Sequence, residues 1–400
     1  MKKIRFSIAT MIALTLIAGV SLADTVKVAL THGYSGHPFK IFSEQYELGF
    51  RLGMDYATNG TMTVNGHKIV ILKKDTKFKP DIARSAAAEA FGDDGALFVI
   101  GGTSSGVTKS MVPVAAEYKK ILIIGPAVAD SLVGPSASKY VFKSSRNSSH
   151  DMQAQAIAMN PDENLLIATL AEDYSFGREG IKAFKKAMQA RGAKVIHEEY
   201  VPQKTQDFTA PVTRMMEALK KSNNERKAIF VYIAGGVSNT MKKVQTMRPE
   251  RYGIELAAGG HILPVLKGYK KLIGMQGASF YFYTNPDNAL NDYIVRKVTE
   301  KTGNPPDAFT PDGFNTALAI VKAIKTSKSL QADDLIKAME GMSWYGVSGK
   351  ITFRKEDHQA LHPMWHFKVE DKGDPWAHLT RVRKIMPSEM DIPLMRNLYQ

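Results

Sequence analysis

The sequence predicts an α/β protein with two lobes, each built on an open, doubly wound parallel sheet. Short β-branched runs alternate with amphipathic segments of helical length, the order that gives a parallel sheet covered by helices on both faces. The same alternation starts again after Asn147. The length agrees, because 400 residues exceed what one core usually holds and a hydrophobic content of 44% is enough for two.

The first half of the chain contains four predicted strands. Apolar runs rich in Val, Ile and Leu predict them at residues 26–30, 69–72, 97–100 and 121–124. Between the strands, apolar residues at helical spacing predict helices at 44–59, 81–91 and 107–118.

The second half continues the same order. Strands are predicted at 165–169, 195–200, 229–233, 278–283 and 364–369, and helices at 177–191, 210–220, 290–302, 313–327 and 332–339. Residues 371–400 hold three prolines and no clear periodicity, so we expect them to wrap the surface and assign them no role. No long Gly/Ser linker divides the halves, which favours closely coupled lobes with hinge crossings. The predicted bounds are 24–145 with 277–355 for lobe 1, and 146–276 with 356–400 for lobe 2.

The N-terminus has the pattern of a secretory signal peptide, residues 1–23. Three basic residues among the first five precede an apolar run at 8–20, and small residues follow at Ser21 and Ala23. The run is shorter than the roughly 20 residues of a membrane-spanning helix. We therefore expect cleavage after Ala23 and an exported, periplasmic protein.

Composition excludes several classes of protein. The chain has no cysteine, so it has neither a disulfide nor the lipid-bearing Cys of a lipoprotein. Removing the signal peptide takes three of the 53 basic residues and leaves 50 against 39 acidic ones, a balance of +11 that favours an anionic ligand. The basic residues are spread along the chain, which argues against nucleic acid as a partner.

Loops that follow strands are the candidate site, because ligands of open parallel sheets bind beyond the carboxyl ends of the strands. The loop at 101–108 is rich in glycine and hydroxyls and opens a predicted helix, so Ser104, Ser105 and Thr108 are candidate anion ligands. It is not a P-loop, since Val107 stands where the lysine should be. An ordinary N-cap is the alternative reading of this loop.

Three further loops end strands and begin helices. They supply the remaining candidate residues, which are Pro126, Ala127 and Val128 after the fourth strand, Tyr174 and Phe176 after the fifth, and Gly235 after the strand at 229–233. Glu172 and Asp173 resemble a catalytic carboxylate pair only in composition, and we interpret them as a solvated loop rim.

The order and spacing of several motifs resemble the leucine/isoleucine/valine-binding protein family, the amino-acid-type solute receptors of ABC importers, along essentially the whole mature chain. The motifs are Ser35-Gly36-His37-Pro38-Phe39, the helix at 49–59, residues 65–69, Asp75, residues 99–101 with the serine loop, Pro126-Ala127, the loop from Tyr174 to Gly177, and Asp207-Phe208.

The resemblance implies a type I periplasmic binding protein, with two lobes joined by three crossings that close on a small ligand and are recognised by a membrane permease. It further implies that Ser105 binds the ligand carboxylate through its hydroxyl and N–H. Pro126 and Val128 fall at backbone contacts, Phe176 covers the ligand from the second lobe, and Gly235 lies in another second-lobe contact. Such a receptor needs no cofactor, and we expect a monomer.

Two departures from the family pattern bear on the ligand. Amino-acid-binding members hold the ammonium group with a hydroxyl near Val128 and an acidic residue after the next strand, whereas residues 258–261 of this chain carry no carboxylate. A buried ammonium without a partner is costly. We therefore expect a small organic carboxylate without an amine, with His261 as a second donor. The aromatic run 280–283 suggests an aromatic acid, although a buried strand explains that run as well. Leucine, isoleucine or valine, or another amino acid, is the alternative ligand.

Other classes of function find less support. His358, His362 and His366 have helical metal-ligand spacing, but Pro363 interrupts it and no metal is expected. A secreted enzyme would need a nucleophile, base and acid, and Ser105 lies in no G-x-S-x-G elbow. A chemosensory ligand receptor would use the same fold and stays an alternative.

Overall fold

The computed structural model describes residues 25–399 except 224, 235 and 236, and it leaves the side chains of 237 and 238 undescribed. The predicted signal peptide and its cleavage after Ala23 lie outside this part of the chain.

The first sheet has six strands in the order β2-β3-β1-β4-β5-β6, and every neighbouring pair except β2–β3 is parallel. The strands are β1 Thr25–His32, β2 Thr63–Val64, β3 His67–Asp75, β4 Phe98–Gly101, β5 Ile121–Ile124 and β6 Val141–Lys143. The central strands β4 and β5 are buried along their whole length, as expected for a parallel sheet with both faces covered.

Helices cover both faces of this sheet. They are α1 Lys40–Ala57, α2 Pro80–Phe91, α3 Ser105–Thr108 and α4 Val112–Tyr118. The prediction of one continuous helix at 107–118 was wrong, because Pro113 lies in the first turn of α4 and a proline ring is tolerated at a helix start but not in its interior.

The second parallel sheet has the order β10-β9-β7-β8. Its elements are α5 Ser148–Met159, β7 Leu165–Glu172, α6 Ser175–Gln189, β8 Lys194–Val201, α7 Thr209–Lys220, β9 Arg226–Tyr232, α8 Val237–Thr246, β10 Ile254–Ala258 and α9 Leu263–Leu266. Helix α5 begins where it does because the Asn147 side chain accepts a hydrogen bond from the His150 N–H (3.0 Å), an N-cap.

The remaining elements are divided between the two lobes. They are β11 Gln276–Ser279, α10 Ala289–Thr302, α11 Phe309–Thr326, α12 Ala332–Met339, β12 Ser343–Gly346, β13 Gly349–Phe353, β14 Ala360–Leu361, β15 Met364–Glu370 and β16 His378–Ile385. Helix α11 packs so tightly on α1 that a Cβ at Gly49 would lie 1.8 Å from the Thr310 carbonyl oxygen. Antiparallel strands β11, β15 and β16 form a sheet that packs on the second lobe.

Two predictions for this part of the chain need correction. The predicted strand at 278–283 ends at Ser279, because residues 280–283 leave the sheet and bury Tyr281 and Phe282 in other clusters. The stretch 371–400 is not merely a surface wrap, since it supplies β16.

After β16 the chain returns to the first lobe. The Arg396 guanidinium donates to the carbonyl oxygens of Ser138 (2.9 Å) and Val141 (3.0 Å), and the Leu398 N–H donates to the Glu356 carbonyl (3.0 Å). The residue bounds predicted for the two lobes stay a prediction.

Candidate ligand-binding site

A cavity lies where the carboxyl ends of the two parallel sheets face each other. Seven of the predicted site residues line it, namely Ser104, Ser105, Pro126, Ala127, Val128, Tyr174 and Phe176. These residues come from the loops after β4, β5 and β7. The cavity therefore lies beyond the carboxyl ends of the strands, where ligands of open parallel sheets bind. Their contact with a ligand stays a prediction.

Ser105 lies at the start of α3, with its side chain almost wholly buried. Its hydroxyl oxygen accepts a hydrogen bond from the Ala129 N–H (3.2 Å), which leaves the hydroxyl proton available for an acceptor in the cavity. Helix α3 has only four residues, so it adds less dipole than the longer helix predicted from the sequence. An anion site here therefore depends on the hydroxyl and backbone N–H of Ser105 more than on the helix dipole.

Two of the predicted residues that the structure describes, Thr108 and His261, are not in the lining of the cavity. Thr108 is fully buried, and its hydroxyl donates to the Ser104 carbonyl (2.7 Å). It therefore supports the serine loop, and its contact with a ligand stays a prediction. Gly235 lies outside the described residues.

Aromatic side chains form two walls of the cavity. On the second lobe, Phe176 stacks on Tyr232 with ring centroids 4.2 Å apart. On the other side, Phe42 stacks on Phe39 (5.1 Å) and meets Phe309 (4.5 Å). Sequence reasoning found Phe176 but not the other four, although Phe39 belongs to a family motif and Tyr232 lies in a predicted strand. The two walls suit a flat apolar group between them.

Arg146 and Asp151 form a partly buried ion pair that lines the same cavity. Nε of Arg146 donates to the Asp151 carboxylate (2.7 Å), and Nη1 lies 3.5 Å from Asp312. The guanidinium also lies 3.8 Å from the centre of the Phe280 ring. Sequence reasoning missed both members of the pair. The same rule of strand ends, applied to the three-residue strand β6, would have found Arg146.

Next to this pair, burial moves the pKa values of two ionisable side chains toward neutral pH. Burial raises the pKa of Asp312 to about 7 and lowers the pKa of Lys143 to about 7. The Lys143 ammonium donates to the Ala127 carbonyl and to the Ser145 hydroxyl (3.1 Å). Lys143 therefore fixes the loop at 126–128 from behind.

His261 lines an adjoining chamber and not the main cavity. Burial lowers the pKa of His261 to about 3, so its ring is neutral at neutral pH. His261 therefore lies apart from Ser105 as an uncharged ring, and its role as a second donor stays a prediction. The chamber adjoins the cavity, because Arg146, Asp151 and Tyr232 line both.

Comparison with known proteins agrees with this architecture. A family model described as periplasmic binding protein matches residues 25–374. The chain belongs to the periplasmic binding protein family. This is a family of solute-binding proteins of ABC transporters and not a family of enzymes, which confirms the resemblance and the type I fold predicted from the sequence.

Three relatives of this periplasmic binding protein illustrate the match. A structure from Rhodopseudomonas palustris CGA009, described as an ABC-type branched-chain amino acid transporter, is 47% identical, with a TM-score of 0.83 over 93% of this chain and 99% of that chain. A solute-binding protein from Rhodopseudomonas palustris BisB5, in complex with 3,4-dihydroxybenzoic acid, is 24% identical, with a TM-score of 0.78 over 91% and 98%, and shares the fold. A Leu/Ile/Val-binding protein homolog from Brucella melitensis is 23% identical over 94% of both chains.

The two lobes of this periplasmic binding protein touch across the cleft. Ser131 lies in the one-turn helix Asp130–Val133 that follows β5, and Glu179 lies on α6. The Glu179 carboxylate accepts hydrogen bonds from the Ser131 N–H (2.9 Å) and hydroxyl (2.6 Å). The structure therefore has the lobes in contact at this point.

Glu172 is buried, contrary to the interpretation of 172–173 as a solvated rim. Its carboxylate accepts from the Ala234 N–H (3.2 Å), and burial raises its pKa to about 7. Asp173 is exposed and pairs with Arg178 (2.7 Å), as a rim residue would. Glu172 lines another pocket, to which Phe39 also contributes.

The three histidines with metal-ligand spacing do not share a helix. His358 and His362 lie in loops and His366 lies on β15. Within the described residues, no group of three His, Cys, Asp or Glu side chains could hold a metal ion. None of the described helices has the length and apolar character needed to cross a membrane.

Proposed function

We propose that this protein, exported by a signal peptide that is cleaved after Ala23, captures a small organic carboxylate, in particular an aromatic acid, and delivers it as a monomer to an ABC permease. The observation that carries the proposal is the buried Ser105 hydroxyl, whose oxygen accepts from the Ala129 N–H, in a cavity that aromatic side chains also line. Ser105 would bind the carboxylate, and Phe176 with Tyr232 would cover the ring.

The charges around the cavity favour an acid without an amine. Among the described lining residues, Asp151 is the sole carboxylate, and it is already paired with Arg146. An ammonium group in the closed cleft would lack a partner, which is costly. The described complex of the relative from Rhodopseudomonas palustris BisB5 with 3,4-dihydroxybenzoic acid agrees in kind with this choice.

A branched-chain amino acid is the second candidate ligand. The relative that is 47% identical is described as a branched-chain amino acid transporter. Arg146 has a second carboxylate within 3.5 Å, Asp312, so a turn of the guanidinium toward it would free Asp151 for an ammonium.

Transport would proceed by closure of the two lobes. A ligand that contacts both lobes lowers the free energy of the closed form by its differential affinity for that form. Ser105 and Val128 approach the ligand from lobe 1, and Phe176 approaches from lobe 2. The permease would then select the closed protein. A chemosensory receptor would use the same motion, and uptake of labelled ligand by cells with and without this protein separates the two roles.

The test is a calorimetric titration and thermal-shift screen of the purified protein with benzoate, 4-hydroxybenzoate, phenylacetate, leucine, isoleucine and valine. An aromatic acid should bind and raise the melting temperature, since a ligand that binds only the folded state stabilises it by mass action. Binding of leucine, isoleucine or valine and of no acid would contradict the proposal.

Ser105→Ala should weaken binding of the acid roughly 10-fold to 150-fold, the value of about 1.5–3 kcal/mol for a hydrogen bond to a charged group. The change also leaves the buried Ala129 N–H unpaired, so the melting temperature without ligand should fall too. Ser136→Ala, at an exposed serine of the same lobe, is the matched control and should change neither.

A further inference from the structure

The chamber that holds His261 is lined by polar atoms that have no partner. They are Nε2 of Gln155, Oγ of Ser279, the hydroxyl of Tyr232 and both ring nitrogens of His261. Each of these residues is more than nine-tenths buried, with 2%, 6%, 1% and 8% of its surface exposed. Within the described part of the chain, none of these atoms makes a hydrogen bond of good geometry.

The local contacts decide what each group can offer. The Gln155 amide oxygen accepts from the Ala278 N–H (2.9 Å), so its NH₂ remains as a donor. The Ser279 hydroxyl can donate or accept. The Tyr232 hydroxyl lies near Asp151, and the His261 ring lies near the Ala258 carbonyl, each without good hydrogen-bond geometry.

Such a concentration of unpaired polar groups is unfavourable unless something pairs with them. One buried donor or acceptor without a partner costs about 1–3 kcal/mol. Here four side chains from α5, β9, β11 and the loop after β10 converge on one chamber. The chamber adjoins the cavity that Ser105 lines, with Arg146 and Tyr232 common to both, so one ligand that displaces these side chains slightly would reach both.

The charge of the chamber selects the kind of group. Its cation, Arg146, is already balanced by Asp151, and the His261 ring is neutral. A second carboxylate would therefore enter without a free cation, which is costly. A hydroxyl suits the chamber, because it can accept from the Gln155 NH₂ and donate to Ser279 or to a ring nitrogen.

We propose that the His261 chamber is a subsite for an uncharged hydrogen-bonding group, first of all a hydroxyl, at the end of the ligand opposite its carboxylate. The inference rests on the proposed function and narrows it to hydroxylated acids. In this arrangement Ser105 binds the carboxylate at one end of the ligand and the chamber binds the hydroxyl at the other. The aromatic side chains of the cavity contact the ring between them.

The experiment measures Kd by calorimetry for matched pairs of acids, benzoate with 4-hydroxybenzoate and cinnamate with 4-hydroxycinnamate, and for the dianion terephthalate. The two pairs differ in length and so allow for the span between Ser105 and the chamber. The hydroxylated member of at least one pair should bind at least 10-fold more tightly, and terephthalate should bind more weakly than that member.

Variants assign the preference to the chamber. Ser279→Ala and Tyr232→Phe should each reduce the ratio of the two Kd values at least threefold, whereas Ser136→Ala should leave the ratio as it is. The ratio is compared only for variants that keep a cooperative melting transition. Because there are two independent variants, the test can still be made if one of them does not fold.

Several outcomes would overturn the inference. Equal affinity within both pairs, tighter binding of terephthalate, or a ratio that neither variant changes would each do so while leaving the proposed function in place. Binding of leucine and of no acid would overturn the proposed function and the inference with it.

Discussion

The contact between Glu179 and Ser131 should contribute to ligand affinity although it lies outside the ligand cavity. The carboxylate on α6 of the second lobe accepts two hydrogen bonds from a residue that follows β5 of the first lobe. If the pair forms only when the lobes are closed, its free energy is added to that of ligand binding. Replacing Glu179 with Gln keeps the shape but removes the charge and one of the two acceptor oxygens.

The size of the effect follows from the geometry. A hydrogen bond to a charged group contributes about 1.5–3 kcal/mol when buried. This pair is only half-buried, so solvent screening reduces the loss in Glu179→Gln to about 1–2 kcal/mol. That corresponds to an increase in Kd of about 5-fold to 30-fold. The increase should come mainly from faster dissociation, because the contact holds the closed state together.

The assay combines calorimetry for Kd with stopped-flow measurement of the dissociation rate, using the acid that binds most tightly in the screen. Glu217→Gln makes the same chemical change at an exposed position of the second lobe and is the control. Unchanged Kd and dissociation rate in Glu179→Gln would refute the reasoning. So would a loss of melting temperature without ligand as large as the loss with ligand, because the contact would then be independent of binding.

Three further predictions concern other parts of the molecule. Burial raises the pKa of Glu172 from 4.5 to about 7, so the folded state binds more protons, and its contribution to stability is present below about pH 4.5 and lost as pH rises toward 7. Urea unfolding should therefore give Glu172→Gln a flatter pH profile, by up to about 1.4 kcal/mol per pH unit, and parallel profiles would contradict this. Gly49→Ala should lower the unfolding free energy by roughly 1–3 kcal/mol in the same assay, because its Cβ meets the Thr310 carbonyl, and an unchanged midpoint would show that the helices can separate freely. Phe176→Ala should raise the Kd for the acid at least 10-fold by calorimetry, since it removes the ring stacked on Tyr232, and an unchanged Kd would place the ligand elsewhere.

Much of the fold could be predicted from the sequence because burial leaves a direct pattern. Strand β7 is buried along its whole length and therefore reads as an apolar run. Once the strands are located, the position of their ends directs attention to Ser105, Val128 and Phe176, which the structure does bring together. The limit of this reasoning is visible at 280–283, where an aromatic run that resembles a strand is turned out of the sheet by tertiary packing.

The charged and polar parts of the cavity could not be predicted in the same way. Arg146 follows β6, a three-residue strand too short to show any period. Gln155 and Ser279 are far apart in sequence and meet only because α5 packs against β11, where the Gln155 side chain bonds the Ala278 N–H. Glu172 is acidic and next to an exposed Asp173, so nothing in its local sequence indicates burial.

The return of residues 396–398 to the first lobe has a mechanical consequence. The first described strand and the last described contacts both belong to the first lobe. The second lobe is therefore inserted between two segments of the first. A force or a surface attachment applied through Thr25 and Tyr399 would act on the first lobe and leave the second lobe free to move. A dye at exposed Tyr399 paired with one on the exposed Glu217 should therefore report opening and closing directly, even on an immobilised molecule.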